Sequence, residues 1–341
     1  MIPTSNNPPQ KILIIKPSSL GDIVHSLPFL DSVAKGFPES DIHWVVAKGL
    51  HKILEGHPLI KKLWVIDKDS WKSFSKLGGT LKELSLLFKG LRQERFDLSV
   101  DLSGLLRSGL ITWMAGAQQK IGFEDSDEGS SFFYTHKVLG GIAQNVHAVD
   151  RNLKIAKFMG CDISQINYPM AELPEDQGLV GSLPKEFVVI SPSAGKEANR
   201  WPAERFGKVA KQLPIKSIVL SSQEDKAVAD VVVEYSGGRA VSLAGQTGLI
   251  DLFTVIKRAK CFLSNDTGPM HIAAALGVPV FAVFGPANPD RTGPYGDIHT
   301  IIREDMDCSP CYAWKPCDHW RCLDTITEDR VVETVKNKMN W

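Results

Sequence analysis

Short apolar runs alternate with longer amphipathic segments along this 341-residue chain, and that alternation limits the fold more than any other feature. The first run, Ile12 to Ile15, is apolar at every position, as expected of a strand that is covered on both faces in a parallel sheet. Segments with a helical period separate the runs, which is the pattern of α/β architecture. We therefore predict an α/β fold with doubly wound, Rossmann-like sheets.

The pattern occurs twice, with a break in the middle of the chain. Predicted strands of the first half are residues 11–16, 42–47, 63–66, 98–101 and 119–122, with a helix over 81–93. Those of the second half are residues 187–191, 217–221, 240–243, 261–264 and 280–284, with helices over 203–213, 225–235, 249–257 and 269–276. Residues 164–184 lack apolar periodicity and contain three prolines and two glycines, so we place the linker between two domains there.

Charge and composition exclude several classes of partner. Lys plus Arg equals Asp plus Glu, at 39 each, which gives no electrostatic reason to expect nucleic acid. The first ten residues are largely polar and proline-rich, and no stretch approaches the roughly 20 apolar residues that cross a bilayer. We expect a soluble, cytoplasmic protein.

One carboxylate follows the first strand directly. The strand ends in the turn Lys16-Pro-Ser-Ser-Leu-Gly-Asp22, and ligands of open α/β sheets gather at the carboxyl ends of the strands. Asp22 is therefore placed for chemistry. Because Asp is also a favoured helix N-cap residue, a cap of the following helix is an equal alternative.

The segment SNDTGPMH, residues 264–271, predicts a helix start that binds an anion. Asp266 or Thr267 would be the N-cap, and Pro269 would lie in the first turn. Free backbone N–H groups, that of Gly268 among them, and the positive end of the helix dipole would then suit a pyrophosphate, with His271 as a further donor. The alternative is an ordinary capped helix with a structural histidine.

Three further loops follow strands in the second half. Residues 191–202, SPSAGKEANRWP, combine hydroxyl, glycine and basic residues, including Ser193 and Arg200, which suit phosphate contacts. After the next strand, Glu224 or Asp225 resembles an acid placed to bind ribose hydroxyls. Residues 284–294 are dense in turn formers and are predicted to rim the same pocket.

Two motifs of nucleotide enzymes are missing from the sequence. Neither G-x-G-x-x-G after the first strand nor G-x-x-x-x-G-K-[ST] is present, which argues against a dinucleotide dehydrogenase and a P-loop enzyme. The three Asp-x-Asp sequences, at 67–69, 125–127 and 305–307, lie in polar turns away from the phosphate loops. A metal-free mechanism is therefore the default.

Four of the six cysteines fall within fifteen positions, with His319 among them: Cys308, Cys311, Cys317 and Cys322. Four thiols could hold zinc in a tetrahedral site. The spacing is not the two-knuckle pattern with a long spacer, so reduced thiols or a labile disulfide are favoured over zinc.

These motifs together resemble glycosyltransferase family 9, the bacterial heptosyltransferases of lipopolysaccharide core assembly. The resemblance rests on residues 16–25, on Asn199-Arg200-Trp201-Pro202 and on residues 265–271 with Phe284-Gly-Pro, and it runs from about residue 11 to the C-terminal helix. The opening segment and residues 96–104 are most similar to the heptosyltransferase I type, which adds the first heptose to a Kdo sugar on lipid A.

The resemblance implies a GT-B fold, in which two Rossmann-like domains face each other across a cleft. It implies acceptor binding in residues 1–170, donor binding in residues 171–325 and a last helix, 326–341, that crosses back to the first domain. It also implies inverting, metal-independent transfer of heptose from ADP-heptose to a lipid-linked core oligosaccharide. We further expect a monomer in peripheral contact with the inner membrane.

The resemblance also implies roles for single residues. Asp22 would be the general base that takes the proton of the acceptor hydroxyl. Donor binding would fall to Ser193, Arg200, Glu224, Asp266, Thr267, Gly268 and His271, with the pyrophosphate at the helix start in place of a metal, the heptose on Asp266 and the ribose on Glu224.

The chain departs from the family pattern at two places. Asn199 stands where family members often carry lysine, which leaves Arg200 or Lys196 as the phosphate cation. Residues 67–72 hold only scattered lysines where the heptosyltransferase I type carries an arginine-rich acceptor patch. A weak basic face toward a membrane could come from Lys35, Lys48, Lys52, Lys61 and Lys62, although solvated lysines are the simpler interpretation.

Three other functions remain open on the sequence. One is a family 9 enzyme with another nucleotide-sugar donor or another cell-surface acceptor. A second is a GT-B nucleotide-sugar epimerase, which would not need an acceptor base after the first strand. The third is a non-catalytic module that binds a nucleotide or zinc.

Overall fold

The chain folds into two compact units, Met1–Glu172 and Leu173–Trp341. The computed structural model describes residues 8–67, 77–126, 128–140, 145–312, 317 and 319–341. The division falls inside the proline- and glycine-rich stretch 164–184. Among the described residues, none of the helices is both long and apolar enough to span a membrane.

The first unit is built on a six-stranded sheet in the order β3-β2-β1-β4-β5-β6. Its strands are β1 (Lys11–Ile15), β2 (Asp41–Ala47), β3 (Lys62–Ile66), β4 (Leu98–Asp101), β5 (Gln119–Phe123) and β6 (His136–Val138). Its helices are α1 (Leu20–Val24), α2 (Leu27–Gly36), α3 (Leu77–Glu94), α4 (Leu106–Met114) and α5 (Ala148–Phe158), with 3₁₀ turns at His51–Ile53 and Ser130–Phe133. Strand β1 is central because it pairs in parallel with both β2 and β4.

The second unit has the order β12-β11-β10-β7-β8-β9. Its strands are β7 (Phe187–Ser191), β8 (Lys216–Val219), β9 (Ala240–Ser242), β10 (Cys261–Asn265), β11 (Val280–Val283) and β12 (Thr300–Ile302). Its helices are α6 (Gln177–Ser182), α7 (Ala203–Gln212), α8 (Lys226–Tyr235), α9 (Leu249–Arg258), α10 (Gly268–Ala275), α11 (Pro289–Thr292), α12 (Arg321–Asp324) and α13 (Glu328–Met339), with a 3₁₀ turn at Glu197–Asn199.

Both sheets follow the same doubly wound order once their strands are counted along each unit. In each unit the first and fourth strands lie side by side and the order reverses between them, which is the topological switch point where such sheets bind ligands. The α/β prediction is confirmed, and all ten predicted strands are present. The strands that the sequence did not predict are β6 and β12, which have three residues each.

The C-terminal helix α13 belongs to the second unit. Its buried valines, Val331 and Val335, lie in the same apolar cluster as Trp201 and Phe206. The apolar face of α13 is buried within the second unit, where the helix packs on α7. The expected return of residues 326–341 to the first domain stays a prediction.

Candidate active site

The first candidate residue, Asp22, lies just after β1 at the switch point of the first sheet. It is the third residue of α1, whose N-cap is Ser19. Its Oδ2 accepts hydrogen bonds from the Ser19 backbone N–H at 2.9 Å and from the Ser19 hydroxyl at 2.8 Å. Asp22 therefore does help to close the helix start, although from the third helical position and not as the N-cap residue itself.

The electrostatics of Asp22 are set by a buried cation. The ammonium Nζ of Lys16 lies 3.2 Å from Asp22 Oδ1, and the Lys16 side chain is 5% exposed whereas that of Asp22 is 37% exposed. Burial raises the pKa of Asp22, but the Lys16 ammonium and the two hydrogen bonds from Ser19 outweigh it and hold the pKa well below its usual range. Asp22 is thus an ionised, oriented carboxylate that solvent can still reach.

Lys16 also ties the strand ends together. Its Nζ donates to the Leu102 carbonyl at 3.1 Å, and its own carbonyl accepts from the Trp44 indole N–H at 3.1 Å. Leu102 directly follows β4 and Trp44 lies in β2. Lys16, which holds Asp22, is therefore fixed to the strands on both sides of β1.

Sequence reasoning missed a second carboxylate at this edge, Asp101. Its register partner in β1 is Ile15, its Oδ1 accepts from the N–H groups of Ser103 and Gly104, and its Oδ2 accepts from the Tyr134 hydroxyl at 2.7 Å. Burial raises the pKa of Asp101 against these hydrogen bonds. The sequence did offer a signal for Asp101, because it is a carboxylate at the end of an apolar strand, as Asp22 is one just after β1. Since Asp101 is fully buried and binds the N–H groups of Ser103 and Gly104, it organises the loop after β4.

In the second unit, Asn265 joins the loops that follow β7 and β10. It is fully buried, its Oδ1 accepts from the Trp201 backbone N–H at 3.0 Å, and its Nδ2 donates to the Pro192 carbonyl at 2.6 Å. Trp201 is anchored in turn, since its indole N–H donates to the Ile326 carbonyl at 3.0 Å. These contacts bring residues 191–202 to the start of α10.

Asp266 lies at that junction. Its Oδ2 accepts from the Asn199 side-chain amide at 3.1 Å. Burial raises the pKa of Asp266 to about 6, and Lys196 opposes this shift. The carboxyl group is therefore poised to gain or lose a proton near neutral pH.

Helix α10 begins as predicted, with Thr267 as N-cap and Gly268 as its first residue. The Met270 N–H bonds to the Thr267 carbonyl at 3.2 Å, while the first N–H groups of a helix point outward along its axis. His271 lies further along the helix and is buried. The geometry suits an anion at Thr267 and Gly268 more directly than at His271.

Arg200 and Ser193 contact the loop after β8. The guanidinium of Arg200 forms an ion pair with Asp225, with Nη–Oδ distances of 3.0 and 3.2 Å, and its Nε donates to the Ala194 carbonyl at 2.9 Å. The hydroxyls of Ser193 and Ser221 are 2.6 Å apart. The positive charge of Arg200 is thus already matched by a carboxylate, which leaves the exposed Lys196 as the more available cation of this loop.

Glu224 is exposed and precedes that ion pair. Its own backbone N–H and the Ser222 hydroxyl lower the pKa of Glu224. The structure therefore brings six of the seven predicted donor residues to the carboxyl ends of β7, β8 and β10, with His271 one turn behind. Asp22 belongs to the first unit.

The cysteine cluster lies beside the loop after β11. The N–H of Cys311 donates to the Pro286 carbonyl at 3.0 Å, and Cys317 Sγ accepts from the Trp320 N–H at 3.4 Å. All four cysteines are free thiols, and burial together with the other three raises the pKa of Cys322. In the described ranges no three His, Cys, Asp or Glu side chains are grouped as metal ligands.

Most of the predicted acceptor segment 67–72 lies outside the described residues.

Known proteins share this architecture and this sequence pattern. A solved structure of a family 9 glycosyl transferase from Veillonella parvula matches with a TM-score of 0.82 and 24% identity, over 97% of each chain. The structure of E. coli heptosyltransferase WaaC with ADP matches with a TM-score of 0.79 and 24% identity, over 96% of this chain and 99% of WaaC. Lipopolysaccharide heptosyltransferase 1 of Pseudomonas aeruginosa is 27% identical over 344 residues, which cover 96% of this chain and 92% of the relative. Lipopolysaccharide core heptosyltransferase OpsX of Haemophilus influenzae is 25% identical over 311 residues, which cover 88% and 86%.

The two doubly wound units thus have the GT-B fold of these solved structures. The sequence model described as "Glycosyltransferase family 9 (heptosyltransferase)" matches residues 85–319. The chain belongs to this family and is a glycosyltransferase, and the predicted family is confirmed.

Proposed function

We propose that the protein transfers a heptose from ADP-heptose to the inner core of lipopolysaccharide, by an inverting displacement that needs no metal ion. The observation that carries the proposal is the oriented Asp22 carboxylate at the switch point of the first unit, held by Lys16 and Ser19. The names of the relatives support the substrate class: several are lipopolysaccharide heptosyltransferases, and one solved structure is WaaC with ADP-2-deoxy-2-fluoro heptose.

In the proposed reaction an acceptor hydroxyl attacks the anomeric carbon of the heptose. The new C–O bond forms on the face opposite the bond to the ADP oxygen, which breaks, so the configuration inverts. Asp22 takes the hydroxyl proton, and ADP leaves with the bonding electron pair. Since the pKa of Asp22 is far below that of an alcohol, the proton moves late, when the attacking oxygen has already become acidic.

The second unit would bind the donor. Charge that develops on the leaving pyrophosphate would be stabilised by the N–H groups at the start of α10, by the helix dipole and by the Ser193 hydroxyl. Lys196 supplies a cation in the same loop, since Arg200 is paired with Asp225. Asp266, which has a pKa of about 6, would accept hydrogen bonds from heptose hydroxyls, and Glu224 would accept those of the ribose. Cytoplasmic location, a monomeric state and contact with the inner membrane stay predictions.

The testing experiment compares donors and variants in one transfer assay. ADP-heptose, ADP-, UDP- and GDP-hexoses are offered with a Kdo-bearing lipid A acceptor, and product is followed by mass spectrometry. We expect transfer from ADP-heptose, unchanged by EDTA, with inversion at the anomeric carbon seen by NMR. Asp22→Asn should lower kcat by about 10²- to 10⁴-fold, the usual contribution of a general base.

Exposed Asp230 on α8 offers the matched control, because Asp230→Asn makes the same chemical change away from the site. Transfer at the wild-type rate by Asp22→Asn would rule out the base. A higher rate with another nucleotide sugar would reassign the donor. Loss of activity in EDTA that added divalent metal restores would overturn the metal-free mechanism.

A further inference from the structure

Helix α4 of the first unit presents an apolar stripe to solvent. Leu106, Leu110 and Trp113 follow the i, i+4, i+7 spacing that places side chains on one helical face, and they are 50%, 41% and 51% exposed. Beside them, the 3₁₀ turn Ser130–Phe133 carries Phe132, which is 89% exposed. Large apolar side chains grouped in this way mark interaction sites.

The stripe and the turn form one continuous surface. Gly109 lets them approach, since a Cβ at this position would lie 2.8 Å from the Phe133 ring. The rings of Trp113 and Phe133 are 6.3 Å apart between centroids. The apolar side chains are thus held on a rigid support. We call Leu106, Leu110, Trp113 and Phe132 the α4 face.

A basic groove borders the α4 face. It lies between α3 and α4, has a volume of about 930 Å³ and includes Leu110 in its lining. Its charged lining residues, within the described part of the chain, are three cations: Lys89, Arg92 and Arg95. Arg107 adds a fourth exposed cation from α4. Glu128 is an acid at the start of α4, where its carboxylate accepts from the Leu106 N–H at 2.9 Å.

This concentration of positive charge is local, because the chain as a whole has a formal net charge of +0. The other basic face that the sequence offered is largely neutralised: Lys35, Lys48, Lys61 and Lys62 each form an ion pair with a carboxylate. In the groove beside α4, by contrast, exposed apolar and cationic side chains occur together.

The α4 face is continuous with the candidate base. Helix α4 starts four residues after Leu102, whose carbonyl accepts from the Lys16 ammonium that holds Asp22. From Leu106 to Trp113 the stripe runs about 10 Å along the helix axis. One end of the surface is thus beside the predicted site of sugar transfer, and the rest extends away from it.

We infer that the α4 face and its basic groove dock on the surface of a bilayer that contains anionic phospholipids. Cations attract the anionic headgroups. The Trp indole ring sits at the level of the headgroups, and Phe and Leu side chains enter the apolar layer just below them. Docking at this face would present the sugar of a lipid-linked acceptor to Asp22. Only the presentation of the acceptor sugar rests on the proposed function. Docking itself would be the same whichever donor the enzyme uses.

The test measures binding of the full-length protein to vesicles by co-sedimentation. Vesicles of phosphatidylglycerol mixed with phosphatidylcholine are compared with vesicles of phosphatidylcholine alone. We expect binding to the anionic vesicles that weakens as salt rises. The double variant Lys89→Glu with Arg107→Glu should bind at least about 30-fold more weakly, since each surface cation contributes roughly five-fold.

Two matched controls lie in the second unit. Lys211→Glu with Lys216→Glu makes the same charge change at exposed positions, and Ile298→Glu matches Trp113→Glu because Ile298 is a comparably exposed apolar residue. Both controls should bind vesicles like the wild type, and all variants should keep the far-UV circular dichroism of the wild type. With a de-acylated, water-soluble acceptor, Lys89→Glu with Arg107→Glu should keep the wild-type transfer rate.

Several results would overturn the inference: no binding by the wild type, equal binding to both kinds of vesicle, or wild-type binding by both α4-face variants. A dimer in sedimentation velocity that Trp113→Glu dissociates, without vesicle binding, would instead assign the face to a second copy of the chain. Vesicle binding without transfer from ADP-heptose would leave docking in place and reject the proposed function.

Discussion

Asp22 and Asp266 are carboxylates at the carboxyl ends of strands in two sheets of the same order, yet their pKa values move in opposite directions. Asp22 lies 3.2 Å from the buried ammonium of Lys16, and its pKa is held low. Asp266 has the neutral amide of Asn199 as its hydrogen-bond partner, and burial raises its pKa to about 6. The partner, and not the place in the fold, sets the charge of each carboxylate.

The opposite shifts have opposite consequences for stability. The lowered pKa of Asp22 stabilises the fold above the unfolded pKa of about 3.9, and that contribution is lost as pH falls through the folded value. The raised pKa of Asp266 acts the other way, so its contribution is lost as pH rises from about 4 through about 6. The Lys16–Asp22 pair and the Asn199–Asp266 pair can each be altered by mutation without changing the other.

The largest effect should come from Lys16→Met, which removes the cation of Asp22 but keeps an apolar stem. We expect the pKa of Asp22 to rise toward its ordinary range and kcat to fall by about 10- to 100-fold, because the base loses one of its three anchors. The pH profile of kcat and urea unfolding at pH 7 and pH 3 measure the two changes. Wild-type unfolding should lose more stability between these pH values than the variant does.

Lys16→Arg is the matched control, since it keeps the charge at the same site. It should recover part of kcat and of the pH dependence of unfolding. If Lys16→Met has wild-type kcat and an unchanged pH dependence, the ammonium does not set the state of Asp22.

The next largest effect concerns the support of Asp266. Asn265→Ala removes both bonds that hold residues 191–202 against the start of α10, and it leaves two buried backbone groups without partners. We expect the free energy of unfolding to fall by about 2–4 kcal/mol, measured by urea denaturation. Exposed Gln246→Ala should change it by less than about 0.5 kcal/mol, and a similarly small loss for Asn265→Ala would contradict the role of this residue.

A smaller effect should appear in the pH dependence of donor binding. If Asp266 accepts hydrogen bonds from the donor, KM for ADP-heptose rises as pH falls below about 6, because the carboxyl group becomes protonated. Asn199→Lys should move this rise to a pH lower by about 1–3, since it gives Asp266 a cation like that of Asp22. Asp266→Asn should remove the pH dependence, and a rise that persists in this variant would assign it to another group.

The smallest effect is expected at Glu224, an exposed carboxylate without the buried surroundings of Asp22 or Asp266. Glu224→Gln should raise KM for the donor by up to about ten-fold, the range of an ordinary net hydrogen bond, and leave kcat unchanged. Titration calorimetry with ADP compares the nucleotide affinity of the wild type and the variant without the acceptor. Glu234→Gln on α8 is the exposed control, and equal KM values in both variants would remove Glu224 from the ribose site.

Local signals in the sequence were enough to predict most strands and the loops that follow them. Continuous apolar runs such as β7 are buried at every position, and turn formers after them marked the loops. Strands β6 and β12 were not predicted; three residues give little period, although β9, which is equally short, was predicted. The start of α10 was predictable since Thr267, Gly268 and Pro269 are consecutive.

Pairings between distant residues could not be predicted. Arg200 was expected at phosphate, but it pairs with Asp225, which the fold brings in from the next βα loop. Asp22 was expected to be either a base or a helix cap, and its contacts with Ser19 and Lys16 allow both roles. Side-chain charges depend on such long-range partners, which a single sequence does not show.

The central place of β1 in its sheet has a consequence for how the chain is made. Strand β1 is synthesised well before its second neighbour, β4, which ends only at Asp101. At 5–20 residues per second the intervening chain takes roughly 4–20 s to synthesise, and for that time one edge of a strand with four consecutive apolar residues has no partner. In this interval the nascent protein is exposed to wrong strand pairing, and a chaperone that shields β1 would act then.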